Sequence, residues 1–196
     1  TAMGSMTFNN SETRVKCFGV DSSNNSIASK NVVILFYNSE ADFAIKLKTK
    51  EGEEVILYKT TGEDKSFEEN YEEIKEKQSR YAGKTTFGKE DMLRVPFIKV
   101  NDEINYDELC GREIKNSKYY IKQALQTIDF ELNNVGGSVK SEAVIDSTQK
   151  VWTEKPRKMI FDSDFILYLK EENKDQPYFA LKVDNTEVLV PDNVEE

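Results

Sequence analysis

Any catalysis by this chain would have to proceed without histidine, which is absent from its 196 residues. That absence removes Ser-His-Asp and Cys-His nucleophilic chemistry and every His-ligated zinc site. No Walker loop and no GxGxxG stretch is present to cradle a phosphate. Cys17 and Cys110 stand far apart and in no CxxC pattern, which favours two separate thiols over one disulfide. Asp102, Glu103, Asp107 and Glu108 carry the oxygen ligands that calcium takes, but without the regular spacing and glycine of an EF-hand loop. Carboxylates, lysines, tyrosines and lone thiols remain, and no nucleophile among them has a recognisable base. The expectation is therefore a protein that is not an enzyme and holds no cofactor or metal.

Composition narrows the partners. A net charge of −9 argues against nucleic-acid backbones and anionic membranes. No apolar run approaches the roughly 18 residues of a membrane helix. Apolar residues at 38% and charged residues at 32% describe a polar globular chain, long enough for one domain with a core. TAMGS at residues 1–5 reads as the remnant of an expression tag, leaving 6–196 as a single domain. Asn9 and Asn24 open glycosylation sequons, a pattern frequent by chance in Asn-rich chains.

The elements follow from period and punctuation. TFNNSETRVKCFGV (Thr7 to Val20) reads as a strand pair turning at Asn9, Asn10 and Ser11. NVVILFYN (Asn31 to Asn38) is a buried strand. FAIKLKTK alternates from Phe43 through Ile45 and Leu47, a half-buried strand with lysines outward, and EEVILYKT (Glu53 to Thr60) suits a further strand. Ser66 with Glu69 three residues on makes a capping box. The helix it opens would carry Phe67, Tyr71, Ile74 and Tyr81 on its apolar face. LRVPFIKV (Leu93 to Val100) reads as one strand. Ser117 would cap a second helix with the stripe Tyr120, Ile121, Ala124, Leu125 and Ile128. Near Thr127 the period becomes two, with Ile128, Phe130 and Leu132 on one side. A long polar stretch then runs from Gly136 to Lys158. It far exceeds the usual connection of about 4–6 residues.

Two apolar runs close the chain, Phe165 to Leu169 and Tyr178 to Val183, separated by KEENKDQP. Neither alternates cleanly, so both read as strands buried on two faces and joined as a hairpin. Phe161, the FILYL run, the ENKDQP turn and the YFALKVDN close resemble the C-terminal hairpin of the serpin family, with Asp164 where serpins usually carry proline. VVILFYNSEADFAIKL resembles a second serpin hairpin, LRVPF and NYDELCG resemble later serpin passages, and EEVILYKT has no evident counterpart.

That resemblance implies a role for the polar stretch. In serpins a strand meets a hinge glycine, then an exposed loop that baits a protease, then the C-terminal hairpin. IDFELNNVGG, the loop and MIFDSDF stand here in that order. The hinge would be Gly136 and Gly137, with the exposed loop at about 136–159. Family spacing counted forward from the hinge reaches Lys150, and counted backward from Phe161 it reaches Thr153. The scissile region is therefore Lys150, Val151, Trp152 and Thr153, with Lys155 and Arg157 as fallback sites. After cleavage such a loop inserts into the main sheet. Val139, Ser141 and Ala143 would take the buried face, and Lys140 and Glu142 the solvent face.

The fold expected is α+β, mainly antiparallel sheets with two or three helices, resembling the C-terminal half of a serpin. The function the resemblance implies is protease inhibition, or a piece of it, with a serine or cysteine protease or another protein as partner and no nucleic acid or membrane. A non-inhibitory binding module on the same fold is the alternative.

Overall fold

The computed structural model describes residues 2–21, 28–49, 52–105, 125–132 and 155–192. Its largest sheet has five antiparallel strands. These are β3 (Val32–Ser39), β4 (Asp42–Lys48), β5 (Glu53–Lys59), β10 (Phe165–Glu171) and β11 (Phe179–Val183), in the spatial order β11-β10-β5-β4-β3. All four runs read as sheet strands from apolar density therefore share one sheet. Both of its faces are covered. Ile34, Phe43, Ile45, Leu57, Phe165 and Leu167 enter one cluster, while Phe36, Ala44, Ile56, Tyr58, Ile166 and Tyr168 enter another. Burial on both faces explains why the run Phe165 to Leu169 does not alternate, and β4, read as half-buried from its alternation, also buries Ala44 on the second face.

β5, which the resemblance left without a counterpart, is the centre of this sheet. It pairs β4 on one side and β10 on the other, with Leu57 opposite both Ile45 and Leu167. It joins the early hairpin to the C-terminal one, so neither hairpin could bury its apolar faces without it.

A four-stranded sheet lies in the order β1-β2-β6-β9, from β1 (Ala2–Thr7), β2 (Arg14–Val20), β6 (Met92–Pro96) and β9 (Lys158–Ile160). Its pairs are antiparallel except β6 with β9, which is parallel. Residues 2–5, read as tag, form part of β1, where Gly4 lies opposite Cys17. Cys17 is a buried free thiol, and Cys110 lies outside the described residues. Gly19 is required by close approach, because a Cβ there would meet the Leu93 carbonyl oxygen at 2.2 Å.

The run Leu93 to Val100 is two strands, not one. β6 ends at Pro96, and β7 (Ile98–Asn105) leaves to pair β8 (Leu125–Leu132) in a separate two-stranded sheet. Pro96 has no amide hydrogen to continue a ladder, and Phe97, packed on Phe18 at 5.8 Å, occupies the corner. Leu125 and Ile128 stand in β8 rather than on a helix. The second helix expected from Ser117 otherwise falls outside the described residues. These contain one α-helix where two or three were expected, beside a short 3-10 turn at Ala28–Asn31.

That helix, α1 (Phe67–Arg80), packs against the second face of the large sheet through Tyr71 and Ile74. Phe67 is 44% exposed, and Tyr81 is an extended cap residue rather than part of the helical face. The Ser66 hydroxyl accepts from the Glu69 amide at 3.2 Å, and the Glu69 carboxylate accepts from the Ser66 amide at 2.9 Å. Ser66→Ala removes this reciprocal cap and is expected to lower stability by about 1 kcal/mol in chemical denaturation.

Asp164, the departure from the family's proline, has a structural use. Its carboxylate accepts from the Asn9 side-chain amide at 2.6 Å, and the same amide reaches the Asp184 carbonyl at 2.9 Å. Asn9 sits at φ 48° in the β1–β2 turn, a left-handed conformation that asparagine tolerates. One side chain thus ties that turn to both ends of the C-terminal hairpin.

Candidate functional site

The hinge glycines Gly136 and Gly137 and the scissile region Lys150, Val151, Trp152 and Thr153 lie outside the described residues. Described instead is the frame from which that segment leaves and to which it returns. β8 leads in and β9 leads out, and each lies against a neighbouring part of one stretch. Leu132 pairs with Ile98, and Lys158 pairs with Met92. Those two partners, Met92 and Ile98, are six positions apart, a stretch that spans at most about 22 Å. Entry and exit therefore rest on two different sheets joined through Phe97.

The exit is clamped. Arg157, immediately before β9, is buried with its partner Asp91, their side chains 10% and 6% exposed. The guanidinium uses every donor group it has. Nε and Nη2 donate to Asp91 Oδ2 at 3.1 and 2.6 Å. Nη2 also donates to the Thr86 carbonyl at 2.8 Å, and Nη1 donates to the Tyr81 hydroxyl at 3.2 Å and the Lys84 carbonyl at 2.5 Å. The Arg157 amide donates to Asp91 Oδ1 at 2.9 Å, and the Gly88 amide to Oδ2 at 2.7 Å. From the other side, the Met92 amide donates to the Arg157 carbonyl at 2.9 Å. A flat five-donor fork suits this task, which a lysine ammonium would not fill.

Burial alone would push the Asp91 carboxyl up. The Arg157 guanidinium and amide and the Gly88 amide outweigh it and hold the carboxyl below the usual aspartate range. Burial likewise opposes the Arg157 charge, and the bonds to Asp91 and Tyr81 overcome it, so Arg157 stays charged. Burial also raises the Tyr37 phenol, which accepts from the Lys158 amide at 3.4 Å and remains neutral.

This geometry corrects one reading. Arg157 is not a fallback scissile residue, because a buried guanidinium with all its donors engaged cannot enter a protease pocket. Lys155, two residues earlier, is exposed. Beyond the clamp, Met159 and Phe161 are fully buried, and the Phe161 ring meets Phe43 at 4.9 Å and Phe165 at 5.2 Å. The Lys59 ammonium caps the same passage, donating to the Ile160 carbonyl at 2.9 Å. Sequence reasoning missed Asp91 and the clamp because the partners lie 66 positions apart and no local pattern marks either one.

Among the described residues no group of three or more His, Cys, Asp or Glu side chains is placed to hold a metal ion. No described helix is long and apolar enough to cross a membrane.

No protein-family model matches the chain, and no curated protein matches it. In fold it is similar to Serpin48, described as a highly specific serpin in the insect Tenebrio molitor. The TM-score is 0.50 at 14% sequence identity, over 92% of this chain and 50% of that one. The chain thus spans about half the length of the serpin it matches, and at this identity the likeness is one of fold.

Proposed function

We propose that this chain is the loop-presenting half of a serpin-type protease inhibitor, acting as bait and not as an enzyme. The observation that carries the proposal is the frame around residues 133–154. A strand of one sheet leads into the segment, and a clamped strand of another leads out, in the order the resemblance requires. The 24 residues between Leu132 and the clamped Arg157 have an extended reach of roughly 80 Å, far more than their anchors demand. Chain length therefore allows them to stand clear of the body. Buried Arg157 and exposed Lys155 set the boundary between body and bait, leaving Lys150 to Thr153 as the scissile region. Lys150 suits a trypsin-like enzyme, whose specificity pocket carries a carboxylate.

Lys150→Ala tests the assignment. Trypsin treatment of the wild-type chain, followed by mass analysis at short times, is expected to show its first cut after Lys150. The variant is expected to lose that cut and be nicked more slowly. Unchanged kinetics in the variant would contradict the assignment.

A second reading is favoured by Lys140 and Glu142 just after the hinge, where inhibitory serpins use small residues. Two charged side chains there slow insertion, and a non-inhibitory binding module on the same frame is its outcome.

A further inference from the structure

The large sheet is covered along one edge and open along the other. At β3 the Ile34 amide donates to the Thr85 carbonyl at 2.8 Å, and Val33 bridges Thr86. β11 ends the sheet on the opposite side, and among the described residues its outer edge pairs with no strand or bridge. The neighbouring β10 is buried from Phe165 to Leu169, whereas β11 is only half-covered on both faces. Phe179 and Leu181 lie partly buried against the cluster around Phe165, and Ala180 against the cluster beneath α1. The apolar layers thus run on past the last strand. Edges that must stay single are blunted by charge, proline or bulges, and β11 carries Lys182 alone between Phe179 and Val183.

The same edge holds both exposed large apolar side chains of the described residues, Phe67 at 44% and Tyr178 at 54%. They line a groove of about 320 Å³ between the start of α1 and β11, together with Tyr168 and Ala180. Glu68 is the one charged side chain lining it, and its carboxylate enters no ion pair among the described residues. The surroundings are acidic. Burial, then the bond to Glu53 and the charges of Glu53 and Glu171, push the Tyr178 phenol up to about 12. Lys182 stands two residues beyond Ala180, on the same face of β11. Its ammonium meets Asp64 at 2.8 Å, but the Asp64 side chain is 85% exposed, so solvent screens that pair.

We infer that β11 pairs with β11 of a second copy of this chain, antiparallel about a two-fold axis at Leu181, joining two five-stranded sheets into one. In this register Leu181 faces its own copy, Phe179 faces Val183 and Lys182 faces Ala180, with opposed Cβ atoms about 5 Å apart. Phe179 and Leu181 gain cover on one face of the sheet. On the other, the Lys182 stem lies across Ala180 of the second copy and carries its ammonium to the groove of Phe67, Glu68 and Tyr178. A groove of aromatic rings with one carboxylate and no basic residue is the complement of a lysine. The two-fold axis makes the contact twice. The pairing uses an edge away from β8 and β9 and does not depend on the proposed inhibitory role.

Sedimentation equilibrium of the 196-residue chain across the micromolar range tests this. A monomer–dimer equilibrium is expected. Leu181→Lys sets two ammonium groups opposite each other at the axis, while its stem still covers apolar surface, and it should weaken the dimer about tenfold or more. Glu68→Lys changes an exposed residue, with the fold checked by circular dichroism, and should also weaken the dimer, as should Lys182→Glu. Combining Glu68→Lys with Lys182→Glu should restore it, which a structural role of either side chain within one copy would not. The inference is overturned by a monomer across that range, by a Leu181→Lys variant that dimerises as wild type does, or by a double variant no tighter than the single ones.

Discussion

Phe165→Ala is expected to destabilise the protein by about 3–5 kcal/mol, measured as the shift in its denaturation curve. Phe165 opens β10, and its side chain is 2% exposed. Its ring meets Phe8 edge-on at 6.1 Å and Phe161 at 5.2 Å. Those partners belong to the turn after β1 and the passage from β9 to β10. Truncation thus loses the transfer energy of a phenyl ring and leaves a cavity where the two larger sheets meet. The two aromatic partners cannot both collapse into that space, so the upper part of the range is favoured. A shift equivalent to less than about 1 kcal/mol would show that the ring is peripheral.

Asp91→Ala is expected to cost about as much, roughly 3–5 kcal/mol, because it leaves the buried Arg157 guanidinium without its counter-charge. Arg157→Lys should recover little, since an ammonium cannot replace five directed donors. The pH dependence follows from the depressed Asp91 carboxyl. Its stabilisation is complete above the ordinary aspartate pKa of about 4 and is lost as pH falls through the lower folded value. Wild type should therefore lose stability in that acid window, and Asp91→Ala should show less of this loss. Protease exposure gives a second readout. In Asp91→Ala a tryptic cut after Arg157 should appear that the wild-type clamp suppresses. A variant that retains both wild-type stability and protection at Arg157 would remove the clamp from the account.

The large sheet was legible because its strands are apolar on both faces, a composition that few other placements tolerate. β3, β10 and β11 were readable from that density, and β4 from the alternation of Phe43, Ile45 and Leu47. The central position of β5 was not, since EEVILYKT looks no different from an edge strand and only its two neighbours reveal its place. The split at Pro96 and Phe97 was hidden because an apolar run continues unbroken across a change of sheet. Phe67 was assigned to the helical face from its spacing, yet it lies in the first turn, where its ring reaches only the edge of Tyr168 at 6.4 Å. The clamp was illegible for a different reason. Arg157 reads as one more charge in a polar loop, and its burial depends on backbone carbonyls of Lys84 and Thr86 that sequence does not mark.

The central claim, a bait segment on a serpin-type frame, is tested most directly by brief trypsin treatment followed by intact mass, non-denaturing chromatography and thermal melting. The account predicts a first cut after Lys150. The two pieces should then co-elute, because β9 remains paired with β6 and β10 remains between β5 and β11. Loop insertion needs a main sheet able to receive it, and the matched region is about half of a serpin. The melting temperature is therefore predicted to change little, with no covalent adduct to the protease. First cuts in α1 or in the turns of the large sheet, with Lys150 untouched, would contradict the bait assignment. A stable covalent adduct would contradict the prediction that this chain alone does not trap a protease.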